Sequence, residues 1–367
     1  MNDWWKLSIL DKYIMRKYIF TFLFVLAMLS LVAVVFDVSE RIEKLLSKDL
    51  TLEKIIRDYY LNFIPWINAL LFPLYALITV IFFTSRMASQ TEIIPILSAG
   101  ISYKRFLKPF LLSGLLFTSI HLIGNHFIVP RGNRILKEFE NKYIKPGNVK
   151  ARDRNVHLFV LPGVEMYLRH FQIQDSTGVD FSLQRFEGEK MVSTMEAKRI
   201  KWKSAPYTWT IEDYRIRTFD DSTESFFDYP GLSMDTAINF LPSDFVYSIN
   251  QKDMMPTAEL NRFIVREKEK GSGITRLFEV EKHRRTADSF TTLILTFIGV
   301  TIASRKVRGG MGLHLAFAVI LGVCFIFLSK LSLTFANNEI MSPVVAVWIP
   351  NLIFTAIAWY LFKKAQK

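Results

Sequence analysis

Cys324 is the only cysteine, so no intrachain disulfide is available and any domain outside a reducing compartment is held by packing alone. Enzyme signatures are also missing. There is no G-x-x-x-x-G-K-[ST] and no Gly-Lys pair, which excludes a P-loop ATP site in this chain. There is no H-E-x-x-H and no His pair four residues apart. His121 and His126 are five apart, about 140° round a helix, and read as packed or hydrogen-bonded residues ahead of metal ligands. No nucleophile–base constellation stands out, so no catalytic residue, metal ligand or cofactor is nominated. Charge is also absent over long distances. The stretches 18–36, 59–85, 109–130, 309–329 and 340–362 contain no Asp, Glu, Lys or Arg, and 286–304 contains only Asp288.

A helix needs about 20 apolar residues to cross the hydrocarbon core of a bilayer. Six such runs in a chain of mean hydropathy +0.22 with 32 Phe predict six transmembrane helices. The first run is long and no small-x-small cleavage site follows it, so it reads as a retained span ahead of a signal peptide. Asp288, beside Arg284 and Arg285, reads as an interfacial ion pair ahead of an intramembrane proton site.

What is present is basic: the formal net charge is +12. Lys6, Lys12, Arg16 and Lys17 precede the first span. Arg86, Lys104, Arg105 and Lys108 follow the second, Arg305, Lys306 and Arg308 follow the fourth, and Lys363, Lys364 and Lys367 end the chain. Basic loops mark the cytoplasmic side. Six spans put all four groups on one side, with both termini cytoplasmic. The segment 37–58, which mixes basic and acidic residues, then lies outside and reads as amphipathic helix.

The long insertion between the third and fourth spans is thereby extracytoplasmic. After a basic stalk the period changes to that of strands. "HLFVLPGVEMYLRHFQIQD", "VDFSLQRFEG", "KMVSTMEAKRIKWKS", "YTWTIEDYRIRTF" and "ESFFDYPG" are broken by "DSTG", "EGEK", "SAPY" and "DDST". Short strands with such turns predict an antiparallel, all-β, jelly-roll-like domain. "PTAELNRFIVREKEK" follows as an amphipathic helix with Leu260, Phe263 and Ile264 on one face, and "GSG" at 271–273 ends it as a hinge. The expected organisation is 1–130, three spans with a cytoplasmic surface helix near 87–99; 131–275, the β domain with its stalk and terminal helix; and 276–367, three spans.

The stretch "SRMASQTEIIPILSAGIS" is too polar to span and too apolar for an ordinary loop. Helical spacing puts Ile93, Ile96 and Leu97 on one face, with Thr91 as N-cap, Pro95 in the second turn and Gly100 as the stop. Glu92 is its one acid. Such a helix can dock into a groove on another protein; the plainer reading is an interfacial loop.

"SRMASQTEIIPILSAGISYKRFLKP" resembles the cytoplasmic loop of the LptF/LptG permease family of lipopolysaccharide export, whose pattern is roughly R-x-x-x-x-E followed by A-[SG]-G-[IF]-[ST]. "LDKYIMRKYIFTFLFVLAMLSLVAVVFDVSERI" is similar to the family's first helix, "FEVEKHRRTADSFTTLILTFIGVTIASRKVRGG" to its fourth span and basic turn, "MSPVVAVWIPNLIFTAIAWYLF" to its last span, and "FLPSDFVYS" to the end of its β domain. The set covers nearly the whole chain in order. Thr91 before Glu92, in place of Ser, and Pro95 inside the helix depart from the pattern.

The resemblance implies a permease subunit of an ABC transporter in the bacterial inner membrane. It implies a second related permease subunit, a cytoplasmic P-loop ATPase dimer bound at the coupling helix, a periplasmic bridge protein that receives lipopolysaccharide, and no part for nucleic acid. On it, Glu92 takes the place of the coupling acid and Arg86 that of the upstream arginine, with Ile93, Leu97 and Gly100 shaping the helix. For an anionic lipid substrate, the cations expected outside are candidates for phosphate contact: Arg41 and Lys44 after span one, Arg131, Arg134 and Lys137 in the stalk, and Lys282, Arg284 and Arg285 before span four. The alternatives are a solvated stalk bridging to headgroups for the rim, and for the whole chain a non-transporting envelope-assembly scaffold or a stand-alone proton-driven lipid carrier. The last would call for several mid-depth acids, of which these spans have almost none.

Overall fold

The computed structural model describes residues 7–46, 50–144, 154–172, 174–188, 190–205, 207–220, 223–242, 251–269, 275–305 and 310–365. The proposed hinge at 271–273, most of "FLPSDFVYS", and Lys6, Lys306, Arg308 and Lys367 lie outside them. The chain forms two compact units. One comprises residues 1–144, 253–257 and 279–367, and the other 145–252 and 258–278.

The first unit is helical. Among the described residues, six helices are long and apolar enough to cross a membrane: Ile9–Leu46, Leu52–Ser89, Tyr103–Ile144, Thr275–Ala303, Met311–Asn337 and Pro343–Ala365. Residues 131–144, read from sequence as the start of the stalk, continue the third helix. Leu136, Phe139 and Ile144 there pack with Leu45, Tyr59 and Phe63 of the first two spans. Tyr18, Phe22, Phe72, Phe83, Phe110 and Phe117 belong to the core shared by the spans, and Phe22 stacks on Phe117 at 4.0 Å between centroids. Helices in lipid gain little from the hydrophobic effect on meeting one another, so close approach and internal hydrogen bonds matter more. Gly299 gives the approach: a Cβ there would lie 2.4 Å from Val80 Cγ1. Asn351 gives the bonds, donating from Nδ2 to the Ala287 carbonyl at 2.8 Å and accepting from Thr291 Oγ1 at 2.7 Å.

The second unit contains a six-stranded antiparallel sheet in the order β1-β2-β3-β4-β5-β6. The strands are β1 (Arg154–Leu161), β2 (Val164–Gln172), β3 (Thr177–Glu187), β4 (Lys190–Ser204), β5 (Thr208–Asp220) and β6 (Thr223–Ala237). The inserted all-β unit is thus present, its strands following one another in simple sequence order. The first predicted piece divides into β1 and β2 at Pro162-Gly163, where Gly163 has φ +75°. The other four turns fall on "DSTG", "EGEK", "SAPY" and "DDST".

One face of the sheet collects Val156, Leu158, Met166, Leu168, Phe181 and Ile211 around Trp209. The Trp209 indole donates to the Phe240 carbonyl at 3.0 Å and stacks on its ring at 4.2 Å. The other face carries cross-strand pairs such as Arg169–Asp180 and Arg199–Glu212. Asp235 is held below the ordinary carboxylate range by hydrogen bonds from Lys203 and then Thr210. The helix Thr257–Glu269 buries Leu260 and Ile264, and Phe263 meets Phe278 at 4.5 Å.

Candidate coupling helix and basic rim

At one end of the bundle the second span stops at Ser89. Thr91 takes a left-handed conformation, φ +58°, and turns the chain into a short helix, Ile93–Ser98. The helix starts one residue later than Thr91 as N-cap would give: Glu92 occupies the N-cap position, without a side-chain cap bond. Pro95 therefore falls in the first turn, where its missing N–H breaks no helical hydrogen bond. Gly100, φ +83°, ends the segment, and Ser102 caps the third span by accepting from the Arg105 amide at 3.3 Å.

The three apolar residues do not share one exposed face. Ile93 is buried in the bundle core and Ile96 packs against it, while Ile94 and Leu97 are exposed at 55% and 36%. Ile93 is thus an anchor, and the surface on offer comprises half-buried Glu92 with Ile94 and Leu97. Arg86 is exposed one turn before the end of the second span. The base is fixed by an ion pair that the sequence reading missed: Arg105 donates to both oxygens of buried Asp11 at 2.6 Å, joining the first and third spans. An acid three residues after Ser8 and an isolated basic loop were signals for it, but nothing in the sequence joined them.

At the opposite end, where the chain leaves for the insertion and returns, the cations differ in availability. Arg41 bonds Asp37 at 2.9 Å and Glu140 at 2.8 Å, and Lys137 bonds Glu140 at 2.6 Å. Arg285 is 4% exposed; it donates to Glu281 at 2.9 Å and to the Met255 carbonyl at 2.8 Å. Arg284 bonds Glu281 at 2.7 Å and approaches Asp288 at 3.6 Å, the pairing expected for that acid. Lys282 is half-buried, and Lys44, Arg131 and Arg134 are exposed. The rim is therefore partly neutralised by Asp37, Glu140 and Glu281. Glu281 lies three and four residues before its partners, a helical spacing visible in the sequence but not used. The two histidines are hydrogen-bonded: His121 with the Ala69 carbonyl at 2.9 Å and His126 with Thr257 at 2.8 Å. Among the described residues no group of His, Cys, Asp or Glu is placed to hold a metal ion.

Among the described residues, six apolar helices, an all-β insertion between the third and fourth, and a short helix between the second and third define a multi-pass membrane protein with an inserted β domain. The family model of the lipopolysaccharide export system permease LptF/LptG matches residues 12–364, nearly the whole chain. The chain belongs to the LptF/LptG family. No individually curated protein matches it significantly.

Proposed function

We propose that the chain is one permease subunit of an ABC-type exporter that extracts lipopolysaccharide from the bacterial inner membrane. A separate cytoplasmic P-loop ATPase drives it through the helix Ile93–Ser98, a second related permease completes the pore, and the β domain passes lipid to a periplasmic bridge protein. Both termini and the short helix are cytoplasmic. The observation that carries this reading is the short helix itself. It is anchored by Ile93 and presents an acid flanked by exposed Ile94 and Leu97, the chemistry of a small docking knob. Among the rim cations, the exposed Arg131 is the first candidate for lipid phosphate. Arg41, Arg284 and Arg285 contribute mainly by holding the bundle.

The test is Glu92→Lys. A desolvated interfacial charge that loses its partner costs about 2–5 kcal/mol, which would reduce ATPase recovery on the solubilised permease at least about thirtyfold at fixed salt. Membrane insertion should be unchanged. Undiminished recovery would remove the docking role.

A further inference from the structure

A cavity of about 740 Å³ opens between the first and second spans at the short-helix end of the bundle. Four cations line it: Lys12, Arg16 and Lys17 from the first span and Arg86 from the second, against a single acid, Glu92. All four are exposed, and among the described residues none of them is ion-paired with an acid. This is the reverse of the other end, where Arg41, Arg284 and Arg285 are held by carboxylates. The other acid in this turn of the first span, Asp11, is buried and taken by Arg105. Aromatic rings support two of the cations without neutralising them: Lys17 lies 4.3 Å from the Tyr13 ring centroid and Arg16 5.9 Å from that of Phe20. The deeper wall is apolar, made by Phe82, Phe83 and Met87. Phe20 at 62% and Phe24 at 67% exposure continue it along the span into the depth of the bilayer.

A cluster of unneutralised cations at the mouth of a groove whose wall runs on as exposed aromatic surface is matched by a molecule with a phosphate at one end and acyl chains at the other. Soluble phosphate would leave the apolar wall unused. A zwitterionic lipid would gain little from four cations against one acid. We propose that this cleft binds an anionic glycerophospholipid of the surrounding leaflet. Its phosphate is held by Arg16 and Arg86, with Lys12 and Lys17 completing the charge, and an acyl chain lies along Phe20 and Phe24. Guanidinium groups suit a phosphate because their donors form a planar fork. The site is separate from the exported lipid, whose proposed contacts lie at the other end of the bundle.

The proposal requires only that the helices cross a bilayer. Its placement in the cytoplasmic leaflet rests on the topology given under Proposed function. The measurement uses the full-length protein in detergent, where sides do not exist, so a wrong topology would surface in accessibility labelling and leave this result untouched. Phosphatidylglycerol or phosphatidylethanolamine is added to delipidated protein, and retention is read by native mass spectrometry. Wild type should retain phosphatidylglycerol preferentially. Each basic residue near an anionic headgroup is worth about fivefold in binding, so Lys12→Gln/Arg16→Gln/Lys17→Gln should lower retention about a hundredfold. Arg16→Gln alone should lower it about fivefold, with the folded state of each variant checked by its unfolding midpoint. Lys201→Gln, exposed on β4 of the sheet, should retain lipid as wild type does. Equal retention of the two lipids, an unaffected triple variant, or displacement of the lipid by inorganic phosphate at matched concentration would overturn the proposal. So would a triple variant that keeps its lipid preference but loses the ATPase, which would make the cleft a protein contact.

Discussion

Replacing Glu281 by Ala should destabilise the helical unit more than any change at an exposed rim cation. Its carboxylate, 5% exposed as a side chain, accepts from Arg284 at 2.7 Å and from Arg285 at 2.9 Å. Arg285 is itself 4% exposed and cannot turn to solvent. Its other contacts include a bond to the Met255 carbonyl at 2.8 Å and a longer one to Thr257 at 3.4 Å, neither of them a carboxylate. Removing one member of a buried ion pair leaves the other charge unmatched and costs about 3–5 kcal/mol. Arg284, at 32% side-chain exposure, can recruit water and adds little to that figure. Glu281→Gln keeps one acceptor and should cost about 1–3 kcal/mol. The free energies would be read from detergent–SDS unfolding titrations of the purified protein. The double variant Glu281→Leu/Arg285→Leu separates the pair from its surroundings. If burial of an unmatched charge is the cause, the double variant should be more stable than Glu281→Ala, because no charge is left stranded. A cost below about 1 kcal/mol for Glu281→Ala, or simple additivity in the cycle, would refute the argument and return Arg285 to the pool of cations free for substrate.

Two further outcomes follow from the packing and the proposed topology. Gly299→Val should destabilise by about 1–3 kcal/mol in the same titration, because its Cβ would meet Val80 Cγ1 at 2.4 Å and Ile81 Cγ1 at 3.1 Å; Gly312→Ala, with nothing within 4 Å, should be neutral or slightly stabilising. In a Cys324→Ala background, a cysteine at exposed Ser225 of β6 should react with an impermeant maleimide in intact spheroplasts and one at exposed Ser89 should not, the reverse pattern contradicting the proposed sidedness.

The six spans and the strand turns were legible because each follows from a local rule. An uncharged run of about 20 residues has no stable place but a bilayer, and a period of two broken by "DSTG" or "SAPY" has few solutions but a hairpin. The short helix Ile93–Ser98 was legible for the same reason, as a segment belonging neither to lipid nor to water. The availability of each side chain was not legible. Arg41 and Arg131 look alike in a list of basic residues, yet Glu140, 99 positions further along, closes on Arg41 at 2.8 Å while Arg131 faces outward. Ile93 and Leu97 share a helical spacing, yet one is an anchor and the other a surface, because the turn at Thr91 sets how the helix is rolled against the bundle. Composition and periodicity determine which segments enter lipid, sheet or water, since those are sums over many residues. Whether one cation is free to hold a phosphate depends on a partner within about 4 Å, a distance that only the folded chain sets.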